Sequence, residues 1–236
     1  MRLIFVRHGE PDYINDKLTS NGVEQAKNTA KRLADEKISA VYASPMGRAV
    51  ETASFTAESH GLDVITLDFM HEIDWGDSRP DADVLPDKLE YDGHPWTLAY
   101  KLLAENPEYV GKDNWDEHHF FKDNICLKYY DMVSERFDAF LAGFGLIRKD
   151  GLYKCEKPCD DTIALFAHGG SGAVVFSHVL DLPFPFVLTS LPYGVCSVSI
   201  IDFSAQNGDM VIPRLELFND MGHIDNIKPE KLVFEK

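Results

Sequence analysis

The stretch RLIFVRHGE, residues 2–10, joins a short aliphatic run directly to Arg7 and His8. An apolar run of this length, without alternating polar residues, is typical of a strand buried on both faces of an α/β sheet. In such sheets, ligands bind outside the carboxyl ends of the strands. The arginine and the histidine that end this strand are therefore candidates for a functional site.

Hydrophobic periodicity predicts a β-α-β-α-β order for the first third of the chain, which indicates a parallel sheet with helices on its faces. Ser44 and Pro45 are expected to start the second helix, and Gly61 to end it. Two late strands are expected to form a hairpin around Asn207 and Gly208. The predicted strands are 2–6, 40–44, 63–67, 162–168, 195–203 and 210–218, and the predicted helices are 18–38, 45–61, 129–146 and 171–182.

Residues 75–130 interrupt this alternation with a segment rich in Asp, Pro, His, Trp and Tyr. We predict an inserted region of helices and loops that forms a lid over the site. No repeat, low-complexity segment or linker divides the chain, so we expect a single domain over residues 1–236. Substrate selection is expected to depend on the insertion.

The composition limits the partners that this protein can have. The chain has 236 residues and a formal net charge of −16, which argues against nucleic acid and anionic membranes, since both require a basic surface. No apolar run is long enough to predict a membrane span, and the first ten residues are too short and too charged for a signal peptide. Four irregularly spaced cysteines favour a reduced, cytoplasmic protein. Any anion site must therefore be a local basic pocket.

Candidate functional residues stand at the carboxyl ends of several predicted strands. Arg7 and His8 follow the first strand, Arg48 the second, Glu72 the third and His168 the late strand at 162–168. We expect these side chains to converge at one edge of the sheet. Guanidinium groups match phosphate oxygens in a bidentate way, so a pocket with two arginines and two histidines is predicted to bind a phosphoryl group.

Each of these residues, taken alone, is more often structural than functional. A histidine at a strand end usually provides a hydrogen bond, and an arginine usually forms an ion pair. Their combination favours a site. Each histidine also precedes a glycine, Gly9 or Gly169, which is expected to let the backbone turn and bring its N–H close to a ligand.

Five motifs then suggest a family. They are VRHGE (6–10), LTSNGVEQA (18–26), SPMGRAVETA (44–53), HEIDWGD (71–77) and FAHGG (166–170). In this order, and spread over nearly the whole chain, they resemble the motifs of the histidine phosphatase superfamily, which has the phosphoglycerate mutase-like fold. The resemblance implies a three-layer α/β/α sandwich with a six-stranded, mostly parallel sheet.

The resemblance also implies roles for the candidate residues. His8 resembles the phospho-accepting nucleophile of the family, and Glu72 resembles its general acid and base. The residues that resemble the phosphate pocket are Arg7, Arg48, a protonated His168 and the adjacent Gly169. No metal or other cofactor is implied, because the arginines supply the positive charge that phosphoryl transfer needs.

The chain departs from the family pattern directly after RHGE. Tyr13 stands where a tryptophan is frequent, Ile14 where an asparagine is expected, and Asn15 comes one place late. The pattern therefore leaves open whether an asparagine contributes to the phosphate pocket. Asp74, two residues after Glu72, is a rival for the acid role.

Other polar residues are interpreted as structural. His118 and His119 could contact substrate or, with Asp116 and Glu117, hold a metal, but we interpret them as polar loop residues with aromatic packing. His223 resembles part of a common late segment of the family and has no predicted catalytic role.

The sequence thus predicts a metal-independent phosphatase that acts on a small phosphorylated metabolite through a phosphohistidine on His8. Two alternatives stay open: a phosphoglycerate mutase, which is a phosphoryl transferase, and a non-catalytic module that binds a phosphate ligand on the same fold. The segment HEIDWGD is closer to the phosphatase branch, which favours hydrolysis. The sequence does not identify the substrate, and it leaves open a homo-oligomer.

Overall fold

The computed structural model describes residues 1–73, 95–111 and 113–224. Its strands are β1 (Arg2–Arg7), β2 (Pro11–Asp12), β3 (Lys17–Leu18), β4 (Ile38–Ala43), β5 (Val64–Thr66), β6 (Leu146–Lys149), β7 (Leu152–Cys155), β8 (Thr162–Ala167), β9 (Val198–Asp202), β10 (Met210–Val211) and β11 (Arg214–Asp220). Its helices are α1 (Ser20–Leu33), α2 (Gly47–His60), α3 (Pro95–Glu105), α4 (Cys126–Ala142), α5 (Gly169–Leu180) and α6 (Phe184–Ser190). None of these helices combines the length and the apolar character that crossing a bilayer requires.

The central sheet has six strands in the described part of the chain, in the order β11-β9-β1-β8-β4-β5. The strands β1, β8, β4 and β5 pair in parallel, whereas β9 runs antiparallel to both β1 and β11. β1 lies in the middle of the sheet, and the four residues between Arg2 and Arg7 are all buried. The predicted six-stranded, mostly parallel sheet and the burial of its first strand are therefore confirmed.

Helices cover both faces of this sheet, since successive side chains of a strand point to opposite faces. On one face, Ile4 belongs to the same apolar cluster as Leu33 of α1 and Ala53 of α2. On the other face, Leu3 and Phe5 belong to the larger core that includes α4 and α5. The three-layer α/β/α sandwich is confirmed.

The described part of the predicted insertion packs into this larger core. Leu98 and Leu102 of α3 are completely buried, and so is Phe121, while Trp115 is nearly so. These apolar side chains make residues 95–130 part of the helical layer rather than a loose cover. Residues 75–94 lie outside the described residues, and a lid function for them stays a prediction.

The two late strands predicted as a hairpin do pair antiparallel, as β9 and β11, but the second of them starts later than predicted. After the turn at Asn207 and Gly208, the chain divides around Pro213 into β10 and β11. β10 pairs with β7 in a separate three-stranded sheet, and only β11 pairs with β9. Because proline has no N–H to donate to a strand ladder, it separates two strands instead of lying inside one.

Periodicity also misses the hairpin of β6 and β7, and it extends the helix predicted at 129–146 four residues too far. The turn of this hairpin contains Asp150 and Gly151, with φ angles of 49° and 78°. Two successive residues with positive φ are typical of the tight turns that join antiparallel strands. The helix itself ends at Ala142, just before two glycines in the next three residues.

Candidate active site

The carboxyl ends of β1, β8 and β4, neighbours in the sheet, bring the predicted residues together. Arg7 and His8 lie at the end of β1, His168 follows β8, and Arg48 lies in the first turn of α2. The ring centroids of His8 and His168 are 5.1 Å apart, and Nε of Arg48 is 3.4 Å from Nε2 of His8. Glu72 accepts hydrogen bonds from the backbone at the start of α5, directly after His168.

The His8 ring is almost completely buried, and a backbone carbonyl fixes its tautomer. Nδ1 is 2.7 Å from the carbonyl oxygen of Gly9, which can only accept, so Nδ1 carries the proton. Nε2 keeps its lone pair and accepts from Arg48. Burial, together with the positive charges of Arg7 and Arg48, lowers the pKa of His8 from 6.5 to about 3, although the hydrogen bond to Gly9 opposes this shift. The ring is therefore neutral near pH 7.

Close packing around position 9 leaves no room for a side chain after His8. A Cβ atom at this position would lie 2.8 Å from the carbonyl oxygen of Gly22 and 3.3 Å from Sγ of Cys196. The N–H of Gly9 donates to Oγ1 of Thr52 at 3.0 Å. The expectation that this N–H approaches a ligand is wrong, because it is already paired inside the protein.

Arg48 is held by a hydrogen bond from each of its three nitrogens. Nε donates to Nε2 of His8 at 3.4 Å, Nη1 to Oδ1 of Asp16 at 2.6 Å, and Nη2 to Sδ of Met46 at 3.4 Å. The arginine side chain is 6% exposed and the aspartate side chain 41% exposed, so Asp16 covers Arg48 from the solvent side. Sequence analysis does not single out Asp16.

The start of α2 differs from the prediction in both its position and its cap. The helix begins at Gly47 rather than at Pro45, and the N–H of Gly47 donates to Oδ2 of Asp16 at 2.6 Å. The Ser44 hydroxyl does not cap this helix, because it accepts from the N–H of Met46, outside the helix, at 3.2 Å. The start of α2 is thus capped by the carboxylate of Asp16, from the turn between β2 and β3, and not by Ser44.

His168 uses the same Ser44 hydroxyl. Nε2 of His168 is 2.7 Å from Oγ of Ser44. A hydroxyl oxygen has one proton and two lone pairs, so Oγ of Ser44 can accept from Met46 and also either donate to Nε2 or accept from it. Nδ1 is buried and has no hydrogen-bond partner among the described residues. It therefore offers an unused polar atom inside the site.

The charge of His168 corrects a sequence-based expectation. Burial lowers its pKa well below 6.5, and the nearby His8, Arg48 and Arg7 lower it further. His168 is therefore neutral near pH 7 rather than protonated, as the resemblance had implied. A proton added to His168 would be repelled by the positive guanidinium groups of Arg48 and Arg7.

Arg7 donates from Nη1 to the carbonyl oxygen of Tyr193 at 3.0 Å. Its Nε is buried and has no hydrogen-bond partner within the described residues. Gly169 lies beside it: a Cβ atom there would be 3.6 Å from Cζ of Arg7 and 3.3 Å from the Trp96 ring. A side chain at 169 would therefore press on the Trp96 ring, whereas its distance from the guanidinium group is an ordinary van der Waals contact.

Glu72 lies at the amino end of α5. Its Oε1 accepts from the N–H groups of Gly170 and Ser171, both at 3.0 Å, and from the N–H of Ile73 at 2.9 Å. Burial nevertheless raises the pKa of Glu72 above its ordinary value, and the three N–H groups and Arg7 oppose this shift. A carboxyl group with a raised pKa is suited to exchanging protons. Its rival Asp74 lies outside the described residues.

The segment that departs from the family pattern forms the turn of a small hairpin between β2 and β3. The Tyr13 ring lies 5.3 Å from Cζ of Arg48, and Ile14 is 95% exposed. The Asn15 side chain donates to Oδ2 of Asp12 at 2.7 Å. This amide therefore stabilises its own turn and does not extend into the phosphate pocket.

The remaining candidates lie apart from the pocket. The rings of His118 and His119 are 4.3 Å apart, and His118 also packs against Tyr109. Within residues 1–73, 95–111 and 113–224, no group of three or more His, Cys, Asp or Glu side chains is arranged to hold a metal ion. Nε2 of His223 is 3.0 Å from the carbonyl oxygen of Cys196, which supports its interpretation as structural.

Sequence reasoning also misses Tyr193. Its carbonyl oxygen holds Arg7, and its hydroxyl donates to the carbonyl oxygens of His168 and Gly169. The tyrosine is thus hydrogen-bonded to both halves of the site. No local signal marks it, because it lies in a loop between α6 and β9.

Comparison with known proteins is consistent with this geometry. The family model of the histidine phosphatase superfamily (branch 1) matches residues 3–84. A 2,3-bisphosphoglycerate-dependent phosphoglycerate mutase of Thermoplasma acidophilum is 36% identical over 86 residues, which are 32% of this chain and 43% of that enzyme. The chain therefore spans less than half the length of that relative.

Two further proteins match over nearly the full length. The structure of a phosphoserine phosphatase variant from Entamoeba histolytica, in complex with phosphoserine, has a TM-score of 0.62 at 20% identity and covers 94% of this chain and 98% of its own, which supports the fold. A probable phosphoglycerate mutase GpmB of Enterobacter sp. (strain 638) is 31% identical over 236 residues, covering 95% of both chains. The chain therefore belongs to the histidine phosphatase superfamily.

Proposed function

We propose that this protein is a phosphatase that hydrolyses a small phosphomonoester through a phosphohistidine intermediate on His8, with no metal ion required. The observation that carries the proposal is the state of the His8 ring. Its Nδ1 proton is held by the carbonyl of Gly9 at 2.7 Å, and its pKa of about 3 keeps Nε2 unprotonated. A neutral imidazole with its proton held on one nitrogen and a lone pair on the other is the form that attacks phosphorus.

Unpaired polar atoms of Arg7 and His168 support binding of the phosphoryl group. Nε of Arg7 and Nδ1 of His168 are both buried and lack hydrogen-bond partners among the described residues. Buried polar groups in proteins are normally paired, so two unpaired ones favour a ligand that contacts them. Nε of Arg7 is a donor, and Nδ1 of His168 is a donor when it carries the ring proton. A phosphoryl group has enough oxygens for both of them and for the Arg48 guanidinium group.

The proposed reaction has two steps. In the first, the Nε2 lone pair of His8 forms a bond to phosphorus, the P–O ester bond breaks, and Glu72 gives its proton to the leaving alcohol. In the second, Glu72 as a carboxylate takes a proton from water, which attacks phosphorus and breaks the P–N bond. The products are the alcohol and inorganic phosphate, and both side chains return to their initial states. The raised pKa of Glu72 supports its part in both steps.

The test is the His8→Ala variant with a chromogenic aryl phosphate and with a ³²P-labelled phosphomonoester. We expect the wild-type protein to release phosphate and to retain acid-quenched label, and the variant to do neither while its circular dichroism stays unchanged. His119→Ala, at an exposed histidine outside the pocket, is the matched control and should behave as wild type. Undiminished turnover by His8→Ala would contradict the mechanism. A wild-type protein that hydrolyses no phosphomonoester at any pH would favour the non-catalytic binding module.

A phosphoglycerate mutase is the second candidate, because the Enterobacter relative that matches over 95% of both chains carries that name. Both activities use a phosphohistidine, and they differ in what accepts the phosphoryl group. Incubation with 3-phosphoglycerate, with and without bisphosphoglycerate, separates them. Isomerised phosphoglycerate would support the mutase, and free phosphate would support the phosphatase.

We also propose a cytoplasmic location and a small phosphorylated metabolite as substrate. Cys126, Cys155, Cys159 and Cys196 are all free thiols, which suits a reducing compartment. A panel of phosphorylated metabolites, with phosphate release as the readout, tests the substrate class.

A further inference from the structure

The turn between β2 and β3 is fastened to the start of α2 by one carboxylate. Oδ1 of Asp16 accepts from Nη1 of Arg48, and Oδ2 accepts from the N–H of Gly47, both at 2.6 Å. These hydrogen bonds are short, and each carboxylate oxygen has its own donor. Burial opposes ionisation of Asp16, but the hydrogen bonds from Gly47 and Arg48 and the positive charge of Arg48 outweigh it and lower the pKa of this carboxyl.

The backbone of this turn is built to hold Asp16 in place. Asp16 has a φ of 47°, a left-handed conformation that aspartate tolerates better than most residues. Its carbonyl oxygen lies so close to Gly47 that a Cβ atom at 47 would be 2.2 Å away. The side chain of Asp12 secures the turn from within, by accepting from the N–H groups of Ile14 and Asn15.

Only a carboxylate satisfies both donors. An asparagine at 16 would offer one acceptor oxygen and would turn its NH₂ group toward either Arg48 or Gly47, both of which donate. Asp16 therefore sets the orientation of the guanidinium group. With Nη1 fixed by Asp16 and Nη2 on Met46, the remaining Nε is directed at Nε2 of His8.

We propose that Asp16 is a positioning residue, which acts through Arg48 by holding the guanidinium group against the nucleophilic nitrogen of His8. The inference rests on the proposed function and adds to it a residue outside the family motifs found in the sequence. Asp16 does not itself contact the phosphoryl group, because both of its oxygens are occupied.

Loss of a positioning residue is expected to lower kcat without raising KM. Transfer of the phosphoryl group depends on the alignment of Arg48 with Nε2, whereas binding of a dianion depends mainly on the net charge around it. Asp16→Asn releases Arg48 but also removes a negative charge. We therefore expect kcat to fall about tenfold, since small displacements of positioning groups have effects of this order or larger, while KM does not rise.

The experiment is a double-mutant cycle on the turnover of an aryl phosphate, with wild type, Asp16→Asn, Arg48→Ala and the double variant. If Asp16 acts through Arg48, its substitution lowers kcat in the wild-type background and changes it less than about twofold when Arg48 is already absent. Asp16→Ala, which removes the carboxylate without adding an amide donor, should give the same pattern. Asp63→Asn removes the same charge at an exposed position before β5, at the opposite edge of the sheet, and should keep wild-type kinetics.

A second measurement does not depend on turnover. The ¹⁵N-detected exchange rate of the Arg48 Nε–H, assigned by its loss in Arg48→Lys, reports directly on the hydrogen bond to His8. We expect slow exchange in wild type and in Asp63→Asn, and faster exchange in Asp16→Asn.

The possible outcomes are distinct. Equal losses of kcat in both backgrounds, a rise in KM that matches the fall in kcat, or an unchanged exchange rate in Asp16→Asn would each overturn the positioning role. If the wild-type protein turns over no phosphomonoester, the proposed function fails, and the exchange measurement still decides whether Asp16 positions Arg48.

Discussion

Replacement of His8 by glutamine should change how the stability of this protein depends on pH. The folded-state pKa of His8 is about 3, against 6.5 for the unperturbed side chain. Below pH 6.5 the unfolded chain therefore binds a proton at His8 that the folded protein does not bind. The stability tied to this histidine is fully present above pH 6.5 and is lost as the pH falls toward 3. His8→Gln removes this dependence.

The magnitude follows from the size of the shift. Each pH unit between the two pKa values costs about 1.4 kcal/mol of folding free energy, because the proton binds only to the unfolded chain. Between about pH 7.5 and about pH 5.5, the wild-type protein should lose about 1.4 kcal/mol more stability than His8→Gln. Other titrating groups, including Glu72 and His168, are present in both proteins and cancel to first order in this difference.

Equilibrium urea unfolding at several pH values in this range measures the effect, with the free energy of unfolding extrapolated to water at each pH. The slope with urea should be the same for both proteins, which shows that the same surface unfolds. His119→Gln, at an exposed histidine, is the matched control and should keep the wild-type pH dependence. Equal losses of stability in wild type and His8→Gln would refute the assignment of a neutral, buried His8.

Two further predictions concern Glu72 and Gly9. Glu72→Gln should lower kcat/KM for an alkyl phosphate by about 10²–10⁴-fold but should affect kcat/KM for para-nitrophenyl phosphate much less, because this ratio reports phosphohistidine formation and nitrophenolate leaves without a proton. Steady-state kinetics on both substrates measures this, and equal losses would argue against a proton-donating role. Gly9→Ala should lower the free energy of unfolding by about 1–3 kcal/mol, since its Cβ would lie 2.8 Å from a backbone oxygen. Gly222→Ala, whose Cβ would meet nothing closer than 3.4 Å, is the control for urea unfolding, and equal effects would contradict the packing argument.

The fold was largely predictable because its signals are local. The apolar run of β1 and the alternation of strands and helices up to β5 follow from hydrophobic period and turn residues within short windows. Prediction failed where pairing partners decide the result. The hydrophobic pattern predicts one strand over residues 210–218. Pro213 divides this stretch into β10 and β11, and β10 pairs with β7, which comes much earlier in the chain. The hairpin of β6 and β7 has a local signal in Asp150 and Gly151, which lie just beyond the helix predicted at 129–146 and which hydrophobic periodicity does not identify as a turn.

The sequence by itself determined which residues could form the site. Arg7, His8 and His168 stand at strand ends, and strands of one parallel sheet direct their carboxyl ends to a common edge. The tertiary structure alone decided how these groups are charged and held. Arg48 depends on Asp16, 32 positions away, and His168 depends on Ser44, 124 positions away. Hydrogen-bond partners and burial are properties of the folded chain, so the low pKa of both histidines, and with it the neutral form of the proposed nucleophile, could not be predicted from local pattern.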